Sequence, residues 1–369
     1  MIKKIKEFLA KETVLCVAAA CAILTMFLVP PDLEYLHYID FRVLCLLLCL
    51  MAVVAGLKDI GIFNWLTYQL LHRIHSGRIL SISLILLPFF CSMFVTNDVA
   101  LIIFVPFTLM LLNELGYSDR IIPVTVFQTI AANLGSMATP VGNPQNLYLY
   151  AFYNLGISEF FSVTLPLAAV SMIALILFSI PLLPQKMPEK EMDPVAIRST
   201  GNLLIYSGLF VLCLLTVFRV LPYPLTTAIT VGALLVVNRK LLKEIDYMLL
   251  LTFVCFFTVS ENLGRMDAVR NFLQQLLQWN TVLTAVGTSQ VISNVPAAVV
   301  LSGFTGQWKE MLAGVNIGGL GTPIASLVSL ITMKFYMNWP GAKISKFLGY
   351  FTVANLIGLA ILLLSVQLI

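Results

Sequence analysis

Charged residues are scarce in this sequence. Asp, Glu, Lys and Arg make up 11% of its 369 residues, whereas a soluble globular domain contains about 25%. Hydrophobic residues make up 59%, which exceeds the share found in soluble folds. The composition therefore excludes a soluble globule and predicts an integral membrane protein.

The sequence also lacks the signatures of enzymes and of metal sites. It contains no HExxH motif and no Ser/His arrangement, and its three histidines lie in predicted loops, so we expect neither catalysis nor a cofactor. The seven cysteines show no disulfide or metal-type spacing and are expected to be buried thiols. The net charge of +4 requires no nucleic-acid partner. The basic start, residues 1–12, is followed by no small-residue cleavage pattern, which predicts a retained helix rather than a signal peptide.

Apolar runs of about 17 to 25 residues predict nine membrane spans. They lie at 13–30, 40–57, 121–149, 160–182, 201–219, 223–238, 247–260, 311–335 and 347–368. Two further regions, 79–115 and 280–306, each hold two apolar segments around a polar centre. We expect each of these to be a re-entrant helical hairpin with its polar cluster at the tip, embedded in the lipid bilayer.

The basic residues predict which face of the membrane is cytoplasmic. Nine spans and two hairpins place the termini on opposite faces. Of the 22 Lys and Arg residues, all but five then lie on the same face as the N-terminus, and these five lie on the opposite face. The exceptions are Arg42, Arg219, Arg265, Arg270 and Lys309. The positive-inside rule therefore predicts a multi-pass protein of the cytoplasmic (inner) membrane, with the N-terminus cytoplasmic and the C-terminus outside.

Two sequence patterns occur twice. FVTNDVALIIFVPF (94–107) and VISNVPAAVVLSGF (291–304) each break an apolar run at an asparagine. NLGSMATPVGN (133–143) and NIGGLGTPIAS (316–326) then align at one constant offset of 183 positions. The offset pairs Asn133 with Asn316, Gly135 with Gly318, Thr139 with Thr322 and Pro140 with Pro323. The chain is therefore expected to be duplicated, with a discontinuous transmembrane helix in each half.

The predicted fold is an all-α polytopic membrane protein built from two inverted repeats. The first repeat covers 1–182, with its hairpin at 79–115 and its broken helix at 121–149. A linker rich in proline and charge, with a connecting span, covers 183–222. The second repeat covers 223–369, with its hairpin at 280–306 and its broken helix at 311–335. The halves are inverted because the two hairpins open to opposite faces.

Interrupted helices in hydrocarbon expose backbone N–H and C=O groups, which are tolerated only where protein or a watery cavity receives them. A polar site near the bilayer midplane is therefore expected. Helices that begin there direct positive dipole ends at an anion, and helices that end there direct carbonyl oxygens at a cation. The predicted substrate-binding residues are Asn97, Thr139, Pro140, Gly142, Asn143, Ser293, Asn294, Gly321, Thr322, Pro323 and Ser326. The predicted coupling-ion residues are Thr96, Asn97, Asp98, Asn133, Ser293, Asn294 and Asn316.

Alternatives remain open for these residues. The tip residues can simply cap helix ends, and Gly135, Gly314 and Gly318 can serve close helix packing. Asp98 is the acidic residue placed at membrane depth, where an ionisable group is costly and marks a functional candidate. It is expected either to hold sodium or a proton, or to act as an N-cap for the helix that follows.

The segments TND, SNVP, ATPVGNPQN and GTPIAS resemble the ion-transporter superfamily, which includes citrate transporters, arsenite permeases, NhaD-type sodium/proton antiporters and divalent-anion/sodium symporters. In the divalent-anion symporters, Ser-Asn-Thr at both hairpin tips binds substrate carboxylate and sodium. Here the triplets are Thr96-Asn97-Asp98 and Ser293-Asn294-Val295, so the asparagines match and the third positions differ. The resemblance implies a homodimer in which hairpins and broken helices move against a fixed scaffold, elevator fashion.

These features lead to a functional hypothesis. The sequence is interpreted as a secondary active transporter of a small anion, a di- or tricarboxylate such as citrate, coupled to sodium or protons. The alternatives are a sodium/proton antiporter and an efflux permease for arsenite or another oxyanion. A passive channel and an intramembrane enzyme fit less well, since hairpins that open to opposite faces suit alternating access. No Arg lies at a tip, which argues against a phosphate or sulfate clamp.

Overall fold

The computed structural model describes residues 12–71, 74–186 and 195–367, and these residues fold into α-helices joined by short turns. The basic start (1–11) and most of the charged linker (187–194) lie outside the described residues. The first half contains α1 (Thr13–Leu28), α2 (Phe41–Asp59), α3 (Ile62–Leu71), α4 (Gly77–Cys91), α5 (Asn97–Glu114), α6 (Ile121–Ser136), α7 (Pro144–Phe152) and α8 (Ile157–Ser179). The second half contains α9 (Thr200–Val217), α10 (Tyr223–Val237), α11 (Tyr247–Gly264), α12 (Asp267–Ile292), α13 (Asn294–Ser302), α14 (Trp308–Ile317), α15 (Leu327–Met337) and α16 (Ile344–Val366).

Six of these helices have at least 18 residues and are apolar enough to cross a membrane. They are α2, α5, α8, α9, α11 and α16. Large apolar side chains on the outer surface stay exposed in the single chain, for example Phe27 on α1 and Val236 on α10, as expected where lipid is the solvent. The prediction of an all-helical, multi-pass membrane protein is confirmed.

The individual spans differ from the predicted ones in length. The predicted spans 13–30 and 223–238 are single helices of 16 and 15 residues. Helix α5, expected to be one arm of a hairpin, has 18 residues and is about 27 Å long at 1.5 Å per residue, whereas α13 has only 9. Apolar periodicity could not distinguish these cases, because Pro106 lies inside α5 without ending it.

Two aspartates start corresponding helices in the two halves. Asp40 accepts a hydrogen bond from Val43 N–H (3.0 Å) at the start of α2. Asp246 accepts one from Leu249 N–H (2.9 Å) at the start of α11. A carboxylate at the N-terminus of a helix satisfies a free N–H and complements the helix dipole, so both helices have a fixed starting point.

Each predicted interruption falls between helices. Residues 92–96 separate α4 from α5, and Ser293 separates α12 from α13. Residues 137–143 separate α6 from α7, and residues 318–326 separate α14 from α15. Helix α12 also has non-helical dihedrals at Asn280. The same order of a helix pair followed by a divided helix thus occurs in both halves.

Small residues allow α4 and α6 to approach closely. A Cβ atom on Gly135 of α6 would lie 2.0 Å from Phe89 O and 2.7 Å from Ser92 Oγ. The same holds for Gly314 of α14, where a Cβ would lie 2.7 Å from Ala285 Cβ. Glycine at such crossings lets two backbones pack in van der Waals contact. The predicted packing role of Gly135 and Gly314 agrees with this geometry.

An ion pair outside the spans joins the turns that follow α1 and α11. Arg265 donates hydrogen bonds to Asp32 Oδ2 (2.6 Å) and to Tyr38 OH (2.9 Å). The Arg265 guanidinium holds the pKa of the Asp32 carboxyl below its usual value. Because these groups are exposed, the pair orients the turns and adds little stability.

All seven cysteines are free thiols. Cys49, Cys91 and Cys213 are buried as expected, whereas Cys21 is exposed. Here the prediction is wrong, because Cys21 lies on the outward face of α1, where lipid rather than protein surrounds an apolar side chain. Periodicity cannot separate these two apolar environments.

We expect Gly135→Ala to destabilise the protein by about 1–3 kcal/mol, because the added methyl group must displace the backbone of α4. Thermal unfolding in detergent would show a lower midpoint. Gly208→Ala is the matched control, since Gly208 lies inside α9 with nothing within 4 Å of its Cβ position. The control should be neutral or slightly stabilising. Equal midpoints for the two variants would contradict close packing of α4 on α6.

Candidate functional site

The start of α5, which was predicted to be the first hairpin tip, and both divided helices meet at Asn133. Asn97 Nδ2, at the start of α5, donates to Asn133 Oδ1 (3.2 Å), and Ser326 Oγ, just before α15, donates to the same oxygen (2.9 Å). The three residues are 5%, 5% and 2% exposed. Asn133 comes from the first half and Ser326 from the second, so this buried oxygen joins the two halves.

A second group of amides lies beside the first. Asn316 Nδ2 donates to Asn146 Oδ1 (2.7 Å), and Asn143 Nδ2 donates to Asn316 Oδ1 (3.4 Å). Asn143 Nδ2 also donates to Ser136 Oγ (3.1 Å), whose hydroxyl donates to the carbonyl of Asn133 (2.8 Å). Both groups therefore form one network. The name asparagine network is used below for Asn97, Asn133, Ser136, Asn143, Asn146, Asn316 and Ser326.

The asparagine network has the composition of a neutral polar site. It consists of amides and hydroxyls, and no Lys, Arg or His among the described residues bonds to it. Asn143 also caps α7, since its Oδ1 accepts from Asn146 N–H (2.9 Å). Asn143 therefore both caps α7 through its Oδ1 and reaches across to the second half through its Nδ2.

The second hairpin tip is strained. Ser293 has φ 75° and ψ 154°, a left-handed conformation that costs a non-glycine residue free energy and recurs at functional sites. Its Oγ is buried without a hydrogen-bond partner in the described protein. Asn294 N–H donates to the carbonyl of Ala325 (3.0 Å), next to Ser326. The tip therefore lies against the second divided helix.

Thr139 and Thr322 attach the hairpins to the divided helices. Thr139 Oγ1 donates to the carbonyl of Met93, and Thr322 Oγ1 donates to the carbonyl of Gln290 (3.1 Å). Met93 and Gln290 each lie three residues before a tip, so the two bonds occupy corresponding places. Both hydroxyls, predicted to line the site, are engaged with backbone in this structure.

The glycines and prolines of the two interruptions shape the backbone. A Cβ on Gly142 would lie 2.2 Å from the carbonyl oxygen of Ser136, and Gly321 has φ 114°. Pro140 and Pro323 stand in the same two non-helical segments, where a missing N–H leaves no helical bond unmade. These four residues fix where the polar side chains of the network lie.

Sequence reasoning missed Gln290. Its Nε2 donates to the carbonyls of Gly318 (3.0 Å) and Leu320 (2.8 Å), and its Oε1 accepts from Thr322 N–H (2.8 Å). One amide side chain thus satisfies three backbone groups of the second interruption. The signal was a glutamine four residues before Asn294 in an apolar run, where a long polar side chain needs buried partners.

Asp98 lies beside the network without joining it. Its carboxylate is half-buried, accepts a hydrogen bond from the Thr96 hydroxyl, and is close enough to Asp246 for the two negative charges to repel. No cluster of three or more His, Cys, Asp or Glu that could hold a metal ion occurs in the described part of the chain. A sodium ion would therefore need amide, hydroxyl and carbonyl oxygens together with this carboxylate.

A cavity of about 420 Å³ leads to the second tip. Val295 and Pro296, which follow the tip in α13, and Leu327 of α15 line it. The exposed, oppositely charged Asp246 and Lys334 also line it. The cavity therefore lies next to the second tip and to the start of α15, one residue from Ser326.

The chain is similar to known membrane transport proteins. A family described as citrate transporter matches residues 2–305. An uncharacterized transporter of Methanocaldococcus jannaschii is 33% identical over 304 residues, which cover 82% of this chain and 83% of that protein. Inner membrane protein YbiR of Escherichia coli is 31% identical over 303 residues, or 80% of each chain. Silicon efflux transporter LSI3 of Oryza sativa subsp. japonica is 35% identical over 111 residues, 30% of this chain and 22% of that protein.

We expect Gln290→Glu to destabilise the protein in a pH-dependent way. An ionised carboxylate would face the carbonyl oxygens of Gly318 and Leu320, whereas a protonated one still donates one hydrogen bond. The folded protein thus raises the pKa of this glutamate above the unfolded value of about 4.3, so stability is lost as pH rises. The loss should reach roughly 1–3 kcal/mol at high pH.

Thermal unfolding at pH 5 and pH 8 would measure this loss. Gln275→Glu is the control, because Gln275 lies exposed on the same helix. A midpoint for Gln290→Glu that stays equal to that of the control at both pH values would contradict the three bonds of Gln290.

Proposed function

Since the chain belongs to the citrate transporter family, we propose that it is a secondary active transporter of a small anion, a di- or tricarboxylate such as citrate, coupled to sodium or protons. The asparagine network is proposed as the substrate site, together with Thr139, Pro140, Gly142, Gly321, Thr322 and Pro323 as the residues that shape it. The two tips complete the proposed site. They contribute Thr96, Asn97 and Asp98 in the first half and Ser293 and Asn294 in the second.

One observation carries this proposal. Asn133 Oδ1 accepts hydrogen bonds from Asn97 of one tip and from Ser326 of the opposite half, so three helix ends, the start of α5, the end of α6 and the start of α15, converge on one buried point. Buried polar groups among membrane helices are expensive and concentrate along solute pathways. Asn133 Nδ2 and Ser293 Oγ have no hydrogen-bond partner among the described residues, and each can bond a solute.

We further propose that the fold is an inverted repeat with two re-entrant hairpins, divided at 1–182, 183–222 and 223–369. Corresponding bonds support the repeat: Thr139 to Met93 matches Thr322 to Gln290. The bond from Ser326 to Asn133 matches that from Asn143 to Asn316, at the offset of 183. One bond that recurs at the offset of 183 at both of its ends, and a second that recurs at a corresponding place before each tip, favour duplication of the whole site over chance similarity of short motifs.

The protein is proposed to lie in the cytoplasmic membrane as a homodimer, with the N-terminus cytoplasmic and the C-terminus outside. The distribution of Lys and Arg supports this orientation, and a relative is named an inner membrane protein. We also propose elevator movement of the hairpins and divided helices against the remaining helices, which the family resemblance supports.

Efflux of an oxyanion such as arsenite is the second candidate. It is favoured by the neutral character of the asparagine network, which suits an oxyacid that carries little or no charge. The similarity of part of the chain to a silicon efflux transporter points the same way. A sodium/proton antiporter, in which Asp98 holds the two ions in turn, would need no organic substrate.

We expect Asn97→Ala and Asn294→Ala to reduce citrate uptake into proteoliposomes about ten-fold or more, because each removes donors worth about 1.5–3 kcal/mol toward a charged solute. Asn355→Ala is the control: Asn355 is buried in α16 and its Nδ2 bonds only the carbonyl of Phe351. Uptake that remains at the wild-type rate in folded Asn97→Ala and Asn294→Ala would refute the site.

A thermal-shift screen would identify the solute and the ion. Purified protein is tested against citrate, C4-dicarboxylates, sulfate and arsenite, with and without sodium, at two pH values. A ligand at 100 times its dissociation constant should stabilise the protein by about 2.7 kcal/mol. A shift with arsenite alone selects efflux. Indifference to every anion, with a shift from sodium or lithium that grows as pH rises, selects the antiporter and defeats the anion proposal.

A further inference from the structure

Polar side chains continue beyond the asparagine network between α6 and α15. Ser326, Ser329 and Thr332 occur at every third position and so lie along one face of α15. The first and last of them contact α6: Ser326 Oγ donates to Asn133, and the hydroxyls of Thr332 and Thr129 are 2.7 Å apart. Ser329 therefore also faces α6, between these two contacts.

Two groups in this interface are buried without a protein partner. Asn133 Nδ2 and Ser329 Oγ have no hydrogen bond in the described protein, and the two residues are 5% and 1% exposed. Leaving such groups unsatisfied costs free energy, and a buried water molecule is the usual remedy. An amide N–H needs an acceptor and a hydroxyl accepts or donates, so one water oxygen suits both.

In the other half of the chain, the residues that correspond to Asn133 and Ser329 bond directly to each other. The offset of 183 relates Asn133 to Asn316 and Ser329 to Asn146. Asn316 Nδ2 donates to Asn146 Oδ1 at 2.7 Å. Ser329 is too short to supply that amide oxygen. The related pair thus bonds directly, whereas Asn133 Nδ2 and Ser329 Oγ both stay without a hydrogen-bond partner in the described protein.

The two halves also differ one turn further along. The same offset relates Thr129 to Leu312 and Thr332 to Leu149. All four residues are fully buried, but only the threonines carry hydroxyls. A polar route therefore leaves the asparagine network between α6 and α15, while leucines close the related route between α14 and α7.

The open route points to one face of the membrane. Thr129 lies eight residues, or about 12 Å, from the start of α6 at Ile121. Thr125, between these two, is also buried and carries a hydroxyl. Lys334 follows Thr332 closely on α15. Under the proposed orientation this is the cytoplasmic face.

We propose that Asn133 and Ser329 bind a water molecule that begins a proton route through Thr332 and Thr129 to the N-terminal face. A hydroxyl group and a water molecule each donate and accept hydrogen bonds, so each can take up a proton on one side and release one on the other. No bond other than O–H is made or broken, and each group that accepts a proton releases one. The inference rests on the proposed function for its proton coupling, but the water site stands without it.

Thermal unfolding without any solute tests the water site. If Ser329 Oγ bonds a water molecule, Ser329→Ala removes that bond and lowers the melting temperature. If Ser329 Oγ is unpaired, Ser329→Ala leaves the melting temperature unchanged or raises it, and the water site is refuted. Ser329→Asn is the second variant and should raise the melting temperature, because it supplies the amide that Asn146 supplies in the other half. An unchanged or lowered midpoint for folded Ser329→Asn counts against the site.

Proteoliposomes that contain a pH-sensitive dye test the proton route. The double variant Thr129→Val, Thr332→Val keeps the side-chain shapes and removes both hydroxyls. We expect citrate to shift its melting temperature as in the wild type, while acidification of the lumen on addition of citrate falls about ten-fold or more. Thr216→Val, Thr226→Val is the control, since it removes another buried, hydrogen-bonded threonine pair between α9 and α10.

Wild-type acidification by the double variant, with citrate still bound, would overturn the proton route. A wild type that moves no citrate and no protons would instead defeat the proposed function, and the water site would still be decided by Ser329→Ala. If the control variant Thr216→Val, Thr226→Val shows the same fall in acidification, the effect comes from lost packing. That result would also overturn the proton route.

Discussion

Backbone hydrogen bonding inside a membrane is the constraint on which this architecture depends. Four interruptions release N–H and C=O groups at positions where lipid offers no partner. Side chains supply the partners: Thr139 and Thr322 bond the carbonyls of Met93 and Gln290, and Asn146 bonds carbonyls of the first interruption. Gln290 does the same in the second interruption. The interruptions are therefore held by specific bonds rather than left flexible.

The same constraint explains why the two halves meet in the middle. The backbone groups of each interruption are bonded within their own half, whereas the asparagine and serine side chains beside the interruptions bond to the other half. Asn133 accepts a hydrogen bond from Ser326. Asn316 accepts one from Asn143 and donates one to Asn146. The central contact between the halves is polar, whereas the contacts of α4 on α6 depend on small residues such as Gly135.

The sequence predicted the interruptions more accurately than the helices. Polar and small residues within apolar runs are rare, so Asn97, Asn294 and the two segments with Thr-Pro located all four helix breaks. Helix length was less predictable, because α5 continues through Pro106 while α13 ends after nine residues. Lipid-facing and protein-facing positions also look alike in an apolar sequence, which is why Cys21 was misplaced.

The partners of the site residues lay beyond sequence reasoning. The hydroxyls of Thr139 and Thr322 bond backbone carbonyls of the hairpins, and Gln290 bonds groups some thirty residues away. Nothing local in the sequence reports such distant pairs. The offset of 183 was the exception, because it relates one half of the site to the other and makes their differences visible, as at Ser329 and Asn146.

The neutral character of the asparagine network limits how a charged solute can enter it. A di- or tricarboxylate would bring two or three negative charges to a place where the described side chains offer amides and hydroxyls but no cation. Moving an unpaired charge out of water costs several kcal/mol even after the protein relaxes. Amide donors recover only part of this cost, at about 1.5–3 kcal/mol for each bond to a charged group. Under the proposed function, entry of cations or protons with such a solute would offset this cost, so coupling would favour occupancy of the site.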